Sequence, residues 1–118
     1  MSVASQKPLH VTTTLLDTIE NELKALSWWQ AVPPSAEDLA STLPFAVDTL
    51  SLAQWLQFVL LARLRDMLAA GMPLPTEISV YPVAQESFAG LSEDTRGLMA
   101  AIAQLDEALT GQPVKHEH

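Results

Sequence analysis

Apolar positions recur at helical spacing in three stretches of the chain. From about Leu9 to Trp29, Val11, Leu15, Ile19, Leu23 and Leu26 fall at steps of four, four, four and three, with Leu16 alongside. That spacing places them on one stripe of a helix. The opposite face carries Asp17, Glu20, Asn21, Glu22 and Lys24, a solvated pattern in which Lys24 follows Glu20 at i+4 and stabilises the turn. Pro33-Pro34 stops any continuation, because proline lacks the amide donor and restricts the residue before it. A second stretch, about Ser51 to Ala70, is apolar at Leu52, Trp55, Leu56, Val59, Leu60, Leu64, Met67 and Leu68. Those positions cover more than one stripe, which predicts a helix contacted on several sides. Gly71 supplies a left-handed stop, guarded by Pro73. The third stretch starts near Ser92-Glu93-Asp94, read as a cap with two first-turn acids, and carries Leu98, Ile102, Leu105 and Leu109 before Gly111 and Pro113 end it.

Shorter pieces lie between. Ser35-Ala36-Glu37-Asp38 reads as the capped start of a helix of one or two turns, cut short by Pro44. Residues 41–50 read as a loop whose Phe45 and Val47 are apolar enough to tuck against the bundle. Met72-Pro73-Leu74-Pro75 is an extended connector, Ile78 to Tyr81 a short extended piece, and Pro82 opens a helical stretch to Phe88. Little alternates with period two. The expected fold is therefore all-α: three long helices and one or two short ones, built around the helix at Ser51–Ala70. One domain over residues 9–110 is expected, between a flexible start at 1–8 and a flexible tail at 111–118.

Composition narrows the function classes. The 118 residues carry 6 basic and 14 acidic side chains, a net charge of −8. Six cations cannot assemble the broad basic surface that direct nucleic-acid binding requires. Zero cysteines exclude disulfides, thiolate metal sites and thiol catalysis. Apolar runs such as Phe58 to Ala62 are far short of a membrane span, and the first residues lack a secretory core. A cytoplasmic protein is the expectation.

Candidate chemistry is sparse. The three histidines lie in the terminal segments, so no Ser-His-Asp arrangement can be built, and His116-x-His118 lacks the further ligands of a metal site. Glu93-Asp94 and Asp106-Glu107 read as solvated acids on a helix exterior rather than paired catalytic carboxylates. The four glycines are isolated, so no phosphate-cradling loop exists and no cofactor is implied. The aromatic residues say more. On a helix, Trp28 and Trp29 point about 100° apart and cannot share one core stripe. Trp29 and Trp55 suit core anchors, while an exposed tryptophan suits a partner-binding groove. Asp48-Thr49 fits the cap of the second long helix or an Asx-type turn. Gln57 can bind the Pro44-Phe45 loop or face a ligand. Trp28, Trp29, Phe45, Asp48, Thr49, Trp55 and Gln57 together form the candidate interaction surface.

The run Ser41-Thr42-x-Pro44-Phe45-x-x-Asp48-Thr49-Leu50, followed by Trp55-Leu56-Gln57-Phe58-Val59-Leu60 and Pro73-Leu74-Pro75, resembles the YqcC-like family of small bacterial proteins. The resemblance spans about Leu9 to Leu109. It implies a small all-helical protein of unknown biochemical function, labelled by association with tRNA pseudouridine synthase C, and it brings no catalytic residue. Pseudouridine synthases use an aspartate within Arg-Leu-Asp on a mixed α/β domain. Here Arg63-Leu64-Arg65-Asp66 interrupts that pattern with a second arginine and lies inside a helix. The expected function is a non-catalytic accessory module that binds a protein, the synthase being the leading partner. A small-molecule or lipid-binding bundle is the alternative, and synthase activity itself, as the label suggests, a further one. The broadly apolar second long helix also leaves room for a homodimer seam.

Overall fold

A computed structural model describes residues 9–112. The expected flexible segment 1–8, most of the tail from residue 113, and the His116–His118 pair lie outside those residues. Five helices follow in order: α1 (Leu9–Ala25), α2 (Ala36–Leu39), α3 (residues 52–69), α4 (Tyr81–Phe88) and α5 (Arg96–Thr110). α3 is built from Leu52–Trp55, a wider π-helical stretch Leu56–Leu61, and Ala62–Ala69. A single 3-10 turn, Pro44–Ala46, sits in the loop before it. No strand occurs among the described residues, so the all-α expectation holds, and the extended piece expected at Ile78–Tyr81 is instead a connector whose last residue, Tyr81, already begins α4.

The stripes foreseen on α1 and α5 are the core. Leu16, Ile19 and Leu23 of α1 pack with Leu98, Ile102 and Leu105 of α5, and Leu56, Leu61 and Leu64 of α3 complete the cluster. Each such side chain contributes about 1.5–3 kcal/mol by leaving water. Glu22, near the end of α1, lies against Gly97 at the start of α5, so the two helices run antiparallel.

Three helix ends or caps and one loop side chain depart from the sequence reading. α1 stops at Ala25, short of the tryptophans. Ser27 takes a left-handed φ of 63°, and the Trp28 amide donates back to the Leu23 carbonyl at 2.9 Å, a Schellman closure on a residue with a Cβ. Gly71 and Gly111 end α3 and α5 in the same hand, as expected of them. α5 starts at Arg96 rather than at Ser92, because Asp94 turns forward onto Arg96: its carboxylate accepts from the Arg96 amide at 3.2 Å and from the guanidinium at 2.9 Å. Asp48-Thr49 does not cap α3. Ser51 does, in a reciprocal box with Gln54 whose bonds measure 3.1 and 2.9 Å. Val47, expected to tuck inward, is 69% exposed.

The largest departure is Asp106. It is not a solvated acid but is 3% exposed, with one carboxylate oxygen accepting the amides of Val80 at 2.9 Å and Tyr81 at 2.8 Å. It therefore caps α4 from across the fold and ties the 70–80 connector to α5. Burial raises its carboxyl above the ordinary value, against the pull of the two amides.

Candidate functional site

α3 gathers the candidate residues through its first two turns, where two loops dock on it. The first is a strap over residues 26–34, between α1 and α2. Gln57, buried on the π-helical stretch, holds the strap by both backbone groups of Gln30. Its side-chain oxygen accepts the Gln30 amide at 2.9 Å, and its side-chain nitrogen donates to the Gln30 carbonyl at 2.7 Å. A glutamine is the right residue here, because one amide supplies a donor and an acceptor that imitate a strand partner. Neither role read from sequence for Gln57, loop binding at Pro44-Phe45 or a ligand contact, matches this clamp. π-helical turns widen a helix locally and tend to occur where a side chain must be aimed.

The second loop, residues 41–50, is stapled from both sides. The Ser41 hydroxyl donates to Asp48, and the Thr49 hydroxyl donates to the Asp38 carbonyl at 2.7 Å. Between these staples Phe45 and Ala46 both take left-handed backbone angles, φ 58° and 49°. For residues with a Cβ that conformation costs of order 1–3 kcal/mol each and persists only where the surroundings impose it. The aromatic contact is part of what imposes it: the Phe45 ring meets Trp55 at 4.7 Å between centroids, tilted by 58°.

The tryptophans divide among separate places. All three are half-buried. Trp28 packs on Phe88 of α4 at 5.2 Å and, with Leu52 and Leu91, lines an open cleft of about 330 Å³ rimmed by Ser27, Gln30, Ser51 and Ser87. Trp29 takes the Lys24 ammonium over its ring at 5.3 Å. Lys24 also pairs with Glu20 at 2.6 Å, and Arg65 of α3 reaches Glu20 at 2.8 Å and Asp17 at 2.9 Å. The Lys24 ammonium, then Arg65, hold the Glu20 carboxyl below its ordinary range against the cost of partial burial. Thus the i+4 pair read from sequence forms, and it extends into a bridge between α1 and α3.

The structure brings Phe45, Asp48, Thr49, Trp55 and Gln57 together around the start of α3, sets Trp28 on the adjoining cleft, and leaves Trp29 with the charged network. None of the cleft's lining side chains is ionisable. Arg63 and Asp66 are exposed on α3, as a helix edge would be. Among the described residues no group of three His, Asp or Glu side chains could hold a metal, and no helix is long and apolar enough to cross a membrane. Sequence reasoning missed Gln30 and Asp106. Asp106 left a signal, since it follows Ile102 by four and precedes Leu109 by three and so lies on the buried stripe. Gln30 left none, because its backbone rather than its side chain carries the main contact.

Several known proteins are similar to this chain. An uncharacterised protein of Haemophilus influenzae is 33% identical over 92 residues, covering 78% of this chain and 86% of that one. The uncharacterised protein YqcC of Escherichia coli is 31% identical over 91 residues, 77% of this chain and 84% of its own. The solution NMR structure of Escherichia coli YqcC superposes with a TM-score of 0.74 at 29% identity, covering 92% of this chain and 94% of that one. A Pectobacterium carotovorum protein named tRNA pseudouridine synthase C is 42% identical over 65 residues, 55% of this chain but 17% of that protein. Residues 11–108 match the family described as tRNA pseudouridine synthase C. The protein is thus a member of that family, DUF446, whose relatives include the YqcC proteins and whose biochemical function is uncharacterised.

Proposed function

We propose that this chain is a non-catalytic accessory module that docks on another protein, with tRNA pseudouridine synthase C as the partner. The observation that carries the reading is the cleft formed by Trp28, Leu52, Phe88 and Leu91 beside the stapled loop. Tryptophan in a partly desolvated pocket ringed by hydroxyl and amide groups is the usual anchor of a protein interface. The platform is also rigidly built. Gln57 is committed to the strap, and two strained residues are tolerated in the loop, while Val32 and Val47 are left 75% and 69% exposed. Exposed apolar groups on a braced frame lose little entropy when a partner covers them.

The relative that bears the synthase name supports the choice of partner. Only 17% of its length is matched by this chain. We assign the activity in that name to the unmatched remainder, with the shared region serving it as a docking module. The net −8 charge complements a basic RNA-modifying enzyme, which speeds encounter and sets orientation more than final affinity.

The test is to mix the purified chain with the synthase and follow elution volume and tRNA modification. Replacing Trp28 by alanine is expected to weaken binding by about 2 kcal/mol, roughly thirtyfold. Because Trp28 also supports Phe88, Leu91→Glu serves as a second variant at an exposed position of the same cleft. If the native chain changes neither elution nor activity of the synthase, the accessory reading is wrong. Pseudouridine formed by the chain alone, and lost in Asp66→Asn, would make it an enzyme instead.

A further inference from the structure

On the side of α3 that faces away from α1 and α5 lies a second groove, about 530 Å³, with Phe58, Val59, Met67 and Met72 among its lining residues. Met72 is 54% exposed and Leu39 of α2 forms one wall. Within this apolar floor stand two opposite charges, Arg63 and Asp66. Among the described residues Lys24, Arg65 and Arg96 each hold an acid, whereas Arg63 holds none, and the Asp66 side chain likewise has no partner. Three positions apart on one helix they could have paired with each other, but the basic-before-acidic order is the less favourable one.

We propose that a second copy of this chain covers the groove, giving a two-fold homodimer in which the outer faces of α3 cross antiparallel. Each Arg63 meets Asp66 of the other copy. In an antiparallel helix pair, residues lie at equal height when their positions mirror one another across the axis. An axis between residues 64 and 65 sets Arg63 opposite Asp66 twice, by the same operation. It also sets Ala62 opposite Met67 and Val59 opposite Ala70, a small side chain against a larger one at both of these levels. That alternation is what lets ridges of one helix enter grooves of another. One register therefore satisfies both the charges and the volumes, and a self-complementary patch is what an isologous interface requires.

The overall charge selects this face rather than preventing association. Two copies of a chain at −8 repel, yet that repulsion is spread over the surface and screened within about 8 Å at physiological salt. The groove is locally neutral, carrying one charge of each sign, so docking there avoids the repulsion that acidic faces would meet.

Sedimentation velocity on the pure chain, from about 1 µM to about 500 µM, spans the range over which a modest interface dissociates. The native chain is expected to pass from monomer to dimer across it. Arg63→Asp and Asp66→Arg should each raise the dimer Kd at least tenfold, since each places like charges face to face twice. An equimolar mixture of the two variants should dimerise again, and the double exchange Arg63→Asp with Asp66→Arg should do so alone. Circular dichroism checks that these exposed substitutions leave the helices intact. A native chain that stays monomeric throughout overturns the proposal, as does a dimer indifferent to both substitutions, or single variants that fail to complement on mixing. If the chain is monomeric and the groove variants instead lose the synthase, that protein occupies the groove and the homodimer is refuted. The outcome is independent of the accessory reading, which rests on the Trp28 cleft.

Discussion

Replacing Asp106 by alanine tests the most consequential polar contact in the fold. The carboxylate takes the amides of Val80 and Tyr81 at 2.9 and 2.8 Å in a site that is 3% exposed, so no water replaces it without opening the core. Hydrogen bonds to a charged acceptor contribute about 1.5–3 kcal/mol each, and an orphaned buried amide costs about 1–3 kcal/mol. Removing the acid also removes the cost of burying it, which offsets part of the loss, leaving a net destabilisation of about 3 kcal/mol. With an unfolding entropy of roughly 2.1 cal/mol/K per residue over this chain, that lowers Tm by about 12 °C. An asparagine side chain at this position, by contrast, keeps an oxygen for both amides, so Asp106→Asn should stay within about 1 kcal/mol of the native protein at neutral pH. Thermal unfolding gives the stabilities, and hydrogen exchange at Val80 and Tyr81 reports the local loss. The sign of the pH effect is fixed by the direction of the shift. A carboxyl raised in the folded state holds its proton when the unfolded chain has released it. Asp106 therefore lowers stability as pH rises from about 3.8 through its folded value, and Asp106→Asn should abolish that decline. An alanine variant as stable as the native chain, or an asparagine variant as weak as the alanine one, would refute the capping role.

Other substitutions probe the remaining supports. Ser27→Gly relieves a left-handed Cβ at the end of α1 and is expected to raise stability by about 1 kcal/mol, read from the urea midpoint. Gln57→Leu leaves both backbone groups of Gln30 unpartnered and should cost about 2 kcal/mol, with a red-shifted tryptophan emission as the strap carrying Trp28 and Trp29 loosens. Glu20 acts in the opposite sense to Asp106: its folded carboxyl is lowered, so its contribution is present above about 4.5 and lost as pH falls through the folded value. Glu20→Gln should accordingly reduce the acid sensitivity of unfolding followed by circular dichroism.

The local code was readable from the chain itself. Leu15, Leu16, Ile19 and Leu23, and Leu98, Ile102, Leu105 and Leu109, declare buried stripes because a helix repeats every 3.6 residues whatever surrounds it. Ser35 as a cap and Gly71 and Gly111 as stops were legible for the same reason, since a cap or a left-handed stop depends on residues within one turn. The family followed from short motifs on these elements. What the sequence left open depends on partners distant along the chain. Ser27 ends α1 because Trp28 has Phe88 to pack on, a residue sixty positions away, and nothing next to Ser27 announces it. Asp48 and Thr49, adequate caps by type, are taken by Ser41 and by the Asp38 carbonyl, and Ser51 is left to start α3. Gln57 and Asp106 look like ordinary polar residues until the fold surrounds them. A buried polar group must find its hydrogen bonds wherever the tertiary packing brings a partner, and only that packing decides that Gln57 clamps Gln30 while Asp106 caps Tyr81.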